Sequence, residues 1–195
     1  MTENIFVKKI KLILEGSNLV GKSQIFSALE KKYVHSVALT IHGYCRPEIQ
    51  KEIKNNNNLV KYFKNRLLSL VSIFKNFQYE EVLFNRLHLT DIVYCRLFLN
   101  VEQNYKQLEK NLNEISVGLV LLDCNNKVLQ KRYEERKKTN KPEPWGKGFI
   151  SVIEKRDMFR QAFKESQIKK KIIIDTSTTT AEEAAEKIIE WWKRT

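Results

Sequence analysis

Residues 11–27, KLILEGSNLVGKSQIFS, decide the fold. The apolar run Leu12-Ile13-Leu14 reads as a buried strand, and beyond Gln24 the apolar residues Ile25, Phe26 and Leu29 return at helical spacing. Between them, Gly16-Ser17-Asn18-Leu19-Val20-Gly21-Lys22-Ser23 fits G-x-x-x-x-G-K-[ST] in the strand-to-helix setting that gives this phosphate-loop pattern its meaning. Gly16 and Gly21 let the backbone curl closely around an anion. Successive N–H groups then meet that anion at a helix N-terminus, where the partial positive charge favours phosphate. Lys22 is placed to reach β- and γ-phosphates and Ser23 to offer its hydroxyl to Mg²⁺. The plainer alternative is a corner that carries these residues by coincidence. Only six glycines in 195 residues make that coincidence harder.

The pattern extends outward as strands alternating with helices. Ser36–Ile41 (SVALTI) reads as a second strand closed by the turn chemistry of His42–Pro47, and Glu48 to about Lys54 as a helix ending at the Asn55–Asn58 tract. Leu59–Phe77 is a long packed helix, and Glu81–Phe84 a short buried strand that delivers Asn85 and Arg86 at its C-terminal end, where ligands of open α/β sheets gather. A second long helix is expected from near Thr90 to Glu114, with a break near Asn100. Val117–Leu122 is the most hydrophobic strand, as when both sheet faces are covered, and Asp123 follows it. A helix from Asn125 to about Lys138 leads into a loop with two prolines, Pro142 and Pro144, that is expected to move. Helix Phe149–Lys164, strand Lys171–Ile174 and amphipathic helix Ala181–Lys193 complete the chain. The class is α/β: one domain over 1–195, a five-stranded parallel sheet with helices on both faces, three layers in all, and a mobile lid over about 132–148.

Composition narrows the partners. A hydrophobic share of 42% suits one globular domain, and 35 Lys plus Arg against 23 Asp plus Glu give +12, which points to anionic ligands. Fifteen basic residues stand against six acidic ones between Lys127 and Lys171, so nine of the twelve surplus charges fall there. Cys45, Cys95 and Cys124 form neither a disulfide framework nor a zinc pattern, which fits a reducing compartment. Lys8, Lys9 and Lys11 interrupt the N-terminal apolar residues, no signal peptide fits, and no apolar run approaches membrane-spanning length, so the expected location is cytoplasmic and no membrane partner is expected.

These residues together resemble the thymidylate kinases and their deoxynucleoside-kinase relatives among the P-loop nucleotide kinases. Leu14-Glu15-Gly16 resembles the family's F-E-G, and Gly21-Lys22-Ser23-Gln24 follows it. Asn85-Arg86 and Tyr94 fall where the family has Asp-Arg and a tyrosine on the next helix. Leu122-Asp123 and the arginines Arg132 and Arg136, one helical turn apart, resemble the family's strand end and lid, and Ile174-Asp175-Thr176-Ser177 its last strand and adenine-side loop. The matches keep the family's order over nearly the whole chain. The resemblance implies ATP and Mg²⁺ as cofactors, a small-molecule nucleotide as substrate, a place in nucleotide biosynthesis, and often a homodimer, for which the helices near Leu59 and Thr90 offer a face.

It also implies roles, each with a rival. Arg86 would clamp the acceptor phosphate bidentately, or serve a structural ion pair. Arg132 and Arg136 would close over the transferring phosphoryl group, or form a solvated basic face. Tyr94 would line the base pocket, or sit in the core. Arg46-Pro47 resembles the family's Arg-Glu-Pro without the glutamate, which makes Arg46 a substrate-side candidate. The main departure is Asn85, which cannot act as a base where the family has Asp. An anionic monophosphate acceptor needs positioning more than deprotonation, so Asn85 favours a nucleoside monophosphate. If Glu15 or Asp91 supplies the missing carboxylate, a nucleoside hydroxyl becomes the acceptor. The third reading is a nucleotide- or nucleic-acid-binding module without catalysis. Against its nucleic-acid form, the sequence has no single-strand-binding aromatic platform or helix-turn-helix signature.

Overall fold

The computed structural model describes residues 9–41, 57–77, 80–139 and 149–195. Five parallel strands form one sheet in the order β2-β3-β1-β4-β5: β1 is Lys11–Glu15, β2 Val37–Thr40, β3 Val82–Asn85, β4 Gly118–Asp123 and β5 Lys170–Asp175. β1 is central, with Ile13 beside Phe84 of β3 and Leu119 of β4, so the loop after β1 leaves the sheet between two buried neighbours. The chain turns back at this strand, and a crevice therefore opens at the C-terminal ends of β1 and β3.

Side chains alternate across the sheet and build two cores. Ile13, Phe84, Leu119 and Leu121 face α2 (Asn57–Asn76), α3 (His88–Tyr94), α4 (Lys106–Glu114) and the Phe159 side of α6 (Phe149–Glu165). Leu12, Leu14, Leu83, Val120 and Leu122 face α1 (Lys22–Lys32), α5 (Asn126–Lys138) and α7 (Ala181–Arg194). Each fully buried Leu, Ile or Phe contributes about 1.5–3 kcal/mol by leaving water. The Phe74 and Phe84 rings stack at 4.6 Å between centroids, which fixes α2 against the strand that carries Arg86.

The segment expected as a helix from near Thr90 to Glu114 with a break near Asn100 is two helices. After α3 the chain makes a π-helical turn, Cys95–Leu99, and reverses at Asn100, whose φ of 53° is left-handed. Residues 101–105 are irregular, and Arg96 secures the turn through Glu102 (2.9 Å) and Glu165 (3.1 Å). The cause lies in Tyr105 and Asp91. Tyr105 is buried and its hydroxyl donates to the Asp91 carboxylate, a contact that a continuous helix would not allow across 14 residues. The expected helix over 48–54, Arg46, and the loop part of the lid (140–148) lie outside the described residues. No helix among the described residues is long and apolar enough to cross a membrane.

Candidate functional site

The loop between β1 and α1 is built on three left-handed or extended-positive residues. Gly16 has φ 146°, and a Cβ there would stand 2.6 Å from the Leu122 carbonyl oxygen, so β4 itself excludes any larger residue. Gly21, at φ 84°, is the residue before α1, and no side chain caps that helix and no acid occupies its first turn. No side chain therefore competes with a ligand for the N-terminus of α1, where the Gln24 N–H donates to the Gly21 carbonyl at 3.1 Å. The third residue is Leu19, at φ 69°, a conformation that L side chains seldom adopt. Lys22 is buried and donates from Nζ to the carbonyls of Gly16 (2.7 Å) and Ser17 (3.3 Å), folding its ammonium over the loop.

A cleft of 530 Å³ opens over this loop, lined by Ser17, Asn18, Leu19, Gly21, Lys22, Ser23, Gln24, Arg86, Arg132, Glu135, Arg136 and Thr139. Four cations against one carboxylate give it a strongly positive lining suited to a polyanion. Val20, the remaining loop residue, is turned into the core among Ile25, Leu122 and their neighbours. The residues fit a nucleoside triphosphate with Mg²⁺: the cradle is closed to Cβ atoms at Gly16, and the exposed Ser23 lies on the cleft wall. Mg²⁺ takes few protein ligands and keeps waters and phosphate oxygens, so one Ser23 hydroxyl is an adequate anchor.

Arg86 sits one residue beyond β3 with φ 75°, its N–H donating to the Leu14 carbonyl at 2.9 Å, and its side chain reaches the cleft. Beside it, Asn85 is 6% exposed; its Nδ2 donates to Thr40 Oγ1 at 3.3 Å while Oδ1 is buried with no hydrogen-bond partner. Glu15, at the end of β1, is turned toward the start of α3. It is fully buried, and Oε1 accepts the N–H groups of Leu87 (2.8 Å), Leu89 (3.1 Å) and Thr90 (3.2 Å) while Oε2 accepts the Thr90 hydroxyl (2.5 Å). Those donors belong to the first turn of α3, whose own N-cap residue, Leu87, has no side chain able to cap. Asp91 is likewise committed, bonded by Tyr105 and Cys95, and burial pushes its carboxyl up to about 7.

Tyr94 lies in the core, 3% exposed and 5.4 Å from the Phe98 ring. The two arginines of α5 differ. Arg136 lines the cleft with a buried Nε that has no hydrogen-bond partner. Arg132 is bonded to backbone, donating to the Leu19 carbonyl (3.0 Å) and to the carbonyl of Thr176 (2.7 Å).

Two features escape sequence reasoning. Thr176, just past β5, is 2% exposed, and its hydroxyl lies 2.9 Å from the Val20 carbonyl; nothing in its spacing marks a threonine that touches a loop 156 residues earlier. His88 is fully buried with Nε2 3.0 Å from Glu109, whose carboxylate is held below its usual range despite burial by His88, Ser166 and Gln167.

The sequence matches no protein-family model and no curated protein. Solved structures do resemble it. The YorR protein of Bacillus subtilis, in complex with phosphorylated GDP, superposes with a TM-score of 0.66 at 18% identity over 93% of this chain and 95% of its own. Deoxyadenosine kinase of M. mycoides, with dCMP and a flexible dCDP, gives 0.59 at 16% identity over 95% and 100%. Thymidylate kinase of Candida albicans gives 0.56 at 18% identity over 93% and 90%. The sheet, its helices and the loop after β1 carry the fold of the P-loop kinases.

Proposed function

We propose that this chain is an ATP- and Mg²⁺-dependent kinase that moves the γ-phosphoryl group onto a (deoxy)nucleoside monophosphate, as thymidylate kinase does. The observation that carries this reading is the state of the three positions that would supply a base at the ends of β1 and β3. Asn85 has no charge, Glu15 is bound by four donors, and Asp91 is buried and committed to hydrogen bonds from Tyr105 and Cys95. A hydroxyl acceptor needs a group to take its proton; a phosphate acceptor is already anionic and needs a cation to hold it. Arg86 supplies that cation at the strand end. The loop 16–24 cradles the triphosphate, Ser23 anchors the metal, and Arg136 faces the transferring group.

Nucleotides accompany two proteins of this fold, YorR with phosphorylated GDP and deoxyadenosine kinase with dCMP, which supports a nucleotide as the substrate here. The test is a coupled assay of ATP consumption with a panel of nucleoside monophosphates and the matching nucleosides. Turnover with monophosphates is expected. Turnover of nucleosides alone would assign a deoxynucleoside kinase, and no turnover while ATP still binds would assign a non-catalytic nucleotide-binding module.

A further inference from the structure

Arg132 and Thr176 both bond backbone carbonyls of the phosphate loop. Arg132 lies on α5 and Thr176 follows β5, yet both close on the loop after β1. Arg132 Nη1 donates to the Leu19 carbonyl at 3.0 Å and lies 3.2 Å from Thr176 Oγ1, while Nη2 donates to the Thr176 carbonyl at 2.7 Å. The Thr176 hydroxyl hydrogen is shared between the carbonyls of Val20 (2.9 Å) and Asp123 (3.0 Å), and the Thr176 N–H donates to that same Asp123 oxygen at 2.8 Å. One guanidinium thus spans two backbone segments, a geometry for which its planar fork is suited and a single ammonium is not.

The peptide bond is planar and trans, so a carbonyl and the N–H of the next residue point in opposite directions. Fixing the Leu19 oxygen on Arg132 therefore aims the Val20 N–H away from the arginine, and fixing the Val20 oxygen on Thr176 does the same for the Gly21 N–H. These N–H groups belong to the cradle. Leu19 must hold φ 69° for the arrangement to exist, which costs a leucine what it would not cost glycine. Arg136 makes no such bond and faces the cleft with its Nε unpartnered.

We infer that Arg132 and Thr176 are positioning residues that orient the N–H groups of Val20 and Gly21 toward a polyphosphate, and that Arg132 acts through the loop and not through its own charge on the ligand. This rests on the reading of the loop as a polyphosphate cradle but not on the identity of the acceptor, so its test omits the acceptor. The probe is inorganic tripolyphosphate, titrated calorimetrically into the parent and four variants whose folding is checked by circular dichroism. Arg132→Gln is expected to weaken binding about tenfold or more, as loss of charge-assisted bonds does. Thr176→Val, which alters no charge, is expected to weaken it about fivefold. Leu19→Gly alone is titrated as the reference against which the double variant is read. Leu19→Gly added to Arg132→Gln is expected to recover at least half of the loss on a logarithmic scale, because glycine enters the left-handed region without the arginine. Parent-like binding by Arg132→Gln overturns the inference. So does a loss that glycine fails to rescue, and so does parent-like binding by Thr176→Val, which remains decisive if Arg132→Gln does not fold. Absence of phosphoryl transfer to monophosphates by the parent, with the affinity changes in the variants as expected, would count against the proposed function alone.

Discussion

Glu15, the last residue of β1, caps a helix that begins 73 residues later: its Oε2 accepts the Thr90 hydroxyl at 2.5 Å and its Oε1 the Thr90 N–H at 3.2 Å. A strand end and a helix start are joined by one buried carboxylate, and Arg86 lies in the segment between. A capping carboxylate cannot also turn toward a substrate without uncapping α3. Glu15→Gln should therefore lower stability by about 1.5–3 kcal/mol, the range for a buried hydrogen bond to a charged group, since the amide keeps only one acceptor oxygen. Urea unfolding checks it. Under the proposed function the variant retains a pH–rate profile of unchanged shape; loss of the acidic limb with no loss of stability would make Glu15 the base.

Asp91 predicts a stability that declines with pH. In the unfolded chain its carboxyl ionises near 3.8, whereas in the fold it keeps its proton to about 7, burial being the main cause and the Glu15 charge adding to it. Below 3.8 both states are protonated. Between these values only the unfolded state releases the proton, so stability from this group is full at low pH and is lost as pH rises to 7. The whole loss is about 4 kcal/mol. Glu109, held below its usual range, works in the opposite sense, but its contribution is lost only as pH falls below the ordinary carboxylate range. The groups facing Asp91 are Tyr105, Cys95, Glu15 and His88, and an amide at 91 can still accept from Tyr105. Asp91→Asn should then flatten the decline between pH 5 and 8 in urea unfolding; an unchanged slope would place its origin elsewhere.

The difference between what was legible in the sequence and what was not follows the range of the interactions. The loop 16–23, the strands and most helix limits are written locally, in glycines, apolar runs and periodicity, and strand limits shift by a residue or two at most. The break near Asn100 was legible, but the π-helical turn Cys95–Leu99 ahead of it was not, because those residues are as apolar as any helix and the contact of Tyr105 with Asp91 spans 14 residues. In the candidate site, Gly21, Lys22, Ser23, Arg86 and Arg136 share one cleft. The commitments of Glu15 to α3 and of Arg132 to Thr176 span 75 and 44 residues, and no local spacing signals them.

Lys22 ties the loop to itself before any ligand enters, through the carbonyls of Gly16 and Ser17. Its removal takes away a buried cation and two of the loop's bonds. Lys22→Ala is expected to weaken ATP binding by about a hundredfold, the upper part of the range for charged hydrogen bonds. Calorimetric titration reads this directly, and binding as tight as the parent's would mean that the bend over 16–23 is no phosphate cradle.

Arg136 should separate binding from rate. Its Nε is buried without a partner, so the arginine is preorganised at a desolvation cost that a developing negative charge would offset. Arg136→Gln is expected to lower kcat by about a hundredfold or more with a change in KM for ATP of about threefold or less. Steady-state kinetics decide it. A rise in KM with kcat unchanged would assign Arg136 to uniform binding.

Asn85 offers the sharpest test of the acceptor, because an aspartate there differs in charge and hardly at all in size. Thr40 Oγ1 holds the amide nitrogen at 3.3 Å, and its hydroxyl can turn to donate to a carboxylate, so Asn85→Asp keeps a partner. The new charge stands next to Arg86 at the strand end. For a phosphate acceptor it competes for that arginine and repels the incoming dianion, and kcat/KM for the best monophosphate should fall about tenfold or more. For a hydroxyl acceptor it supplies the missing base, and nucleoside turnover should rise by a factor on the order of a hundred. Measuring both constants on one preparation makes the ratio independent of how much protein is active. A ratio that moves toward nucleosides supports Asn85 as the residue that reserves the site for monophosphates, and an unchanged ratio rejects it.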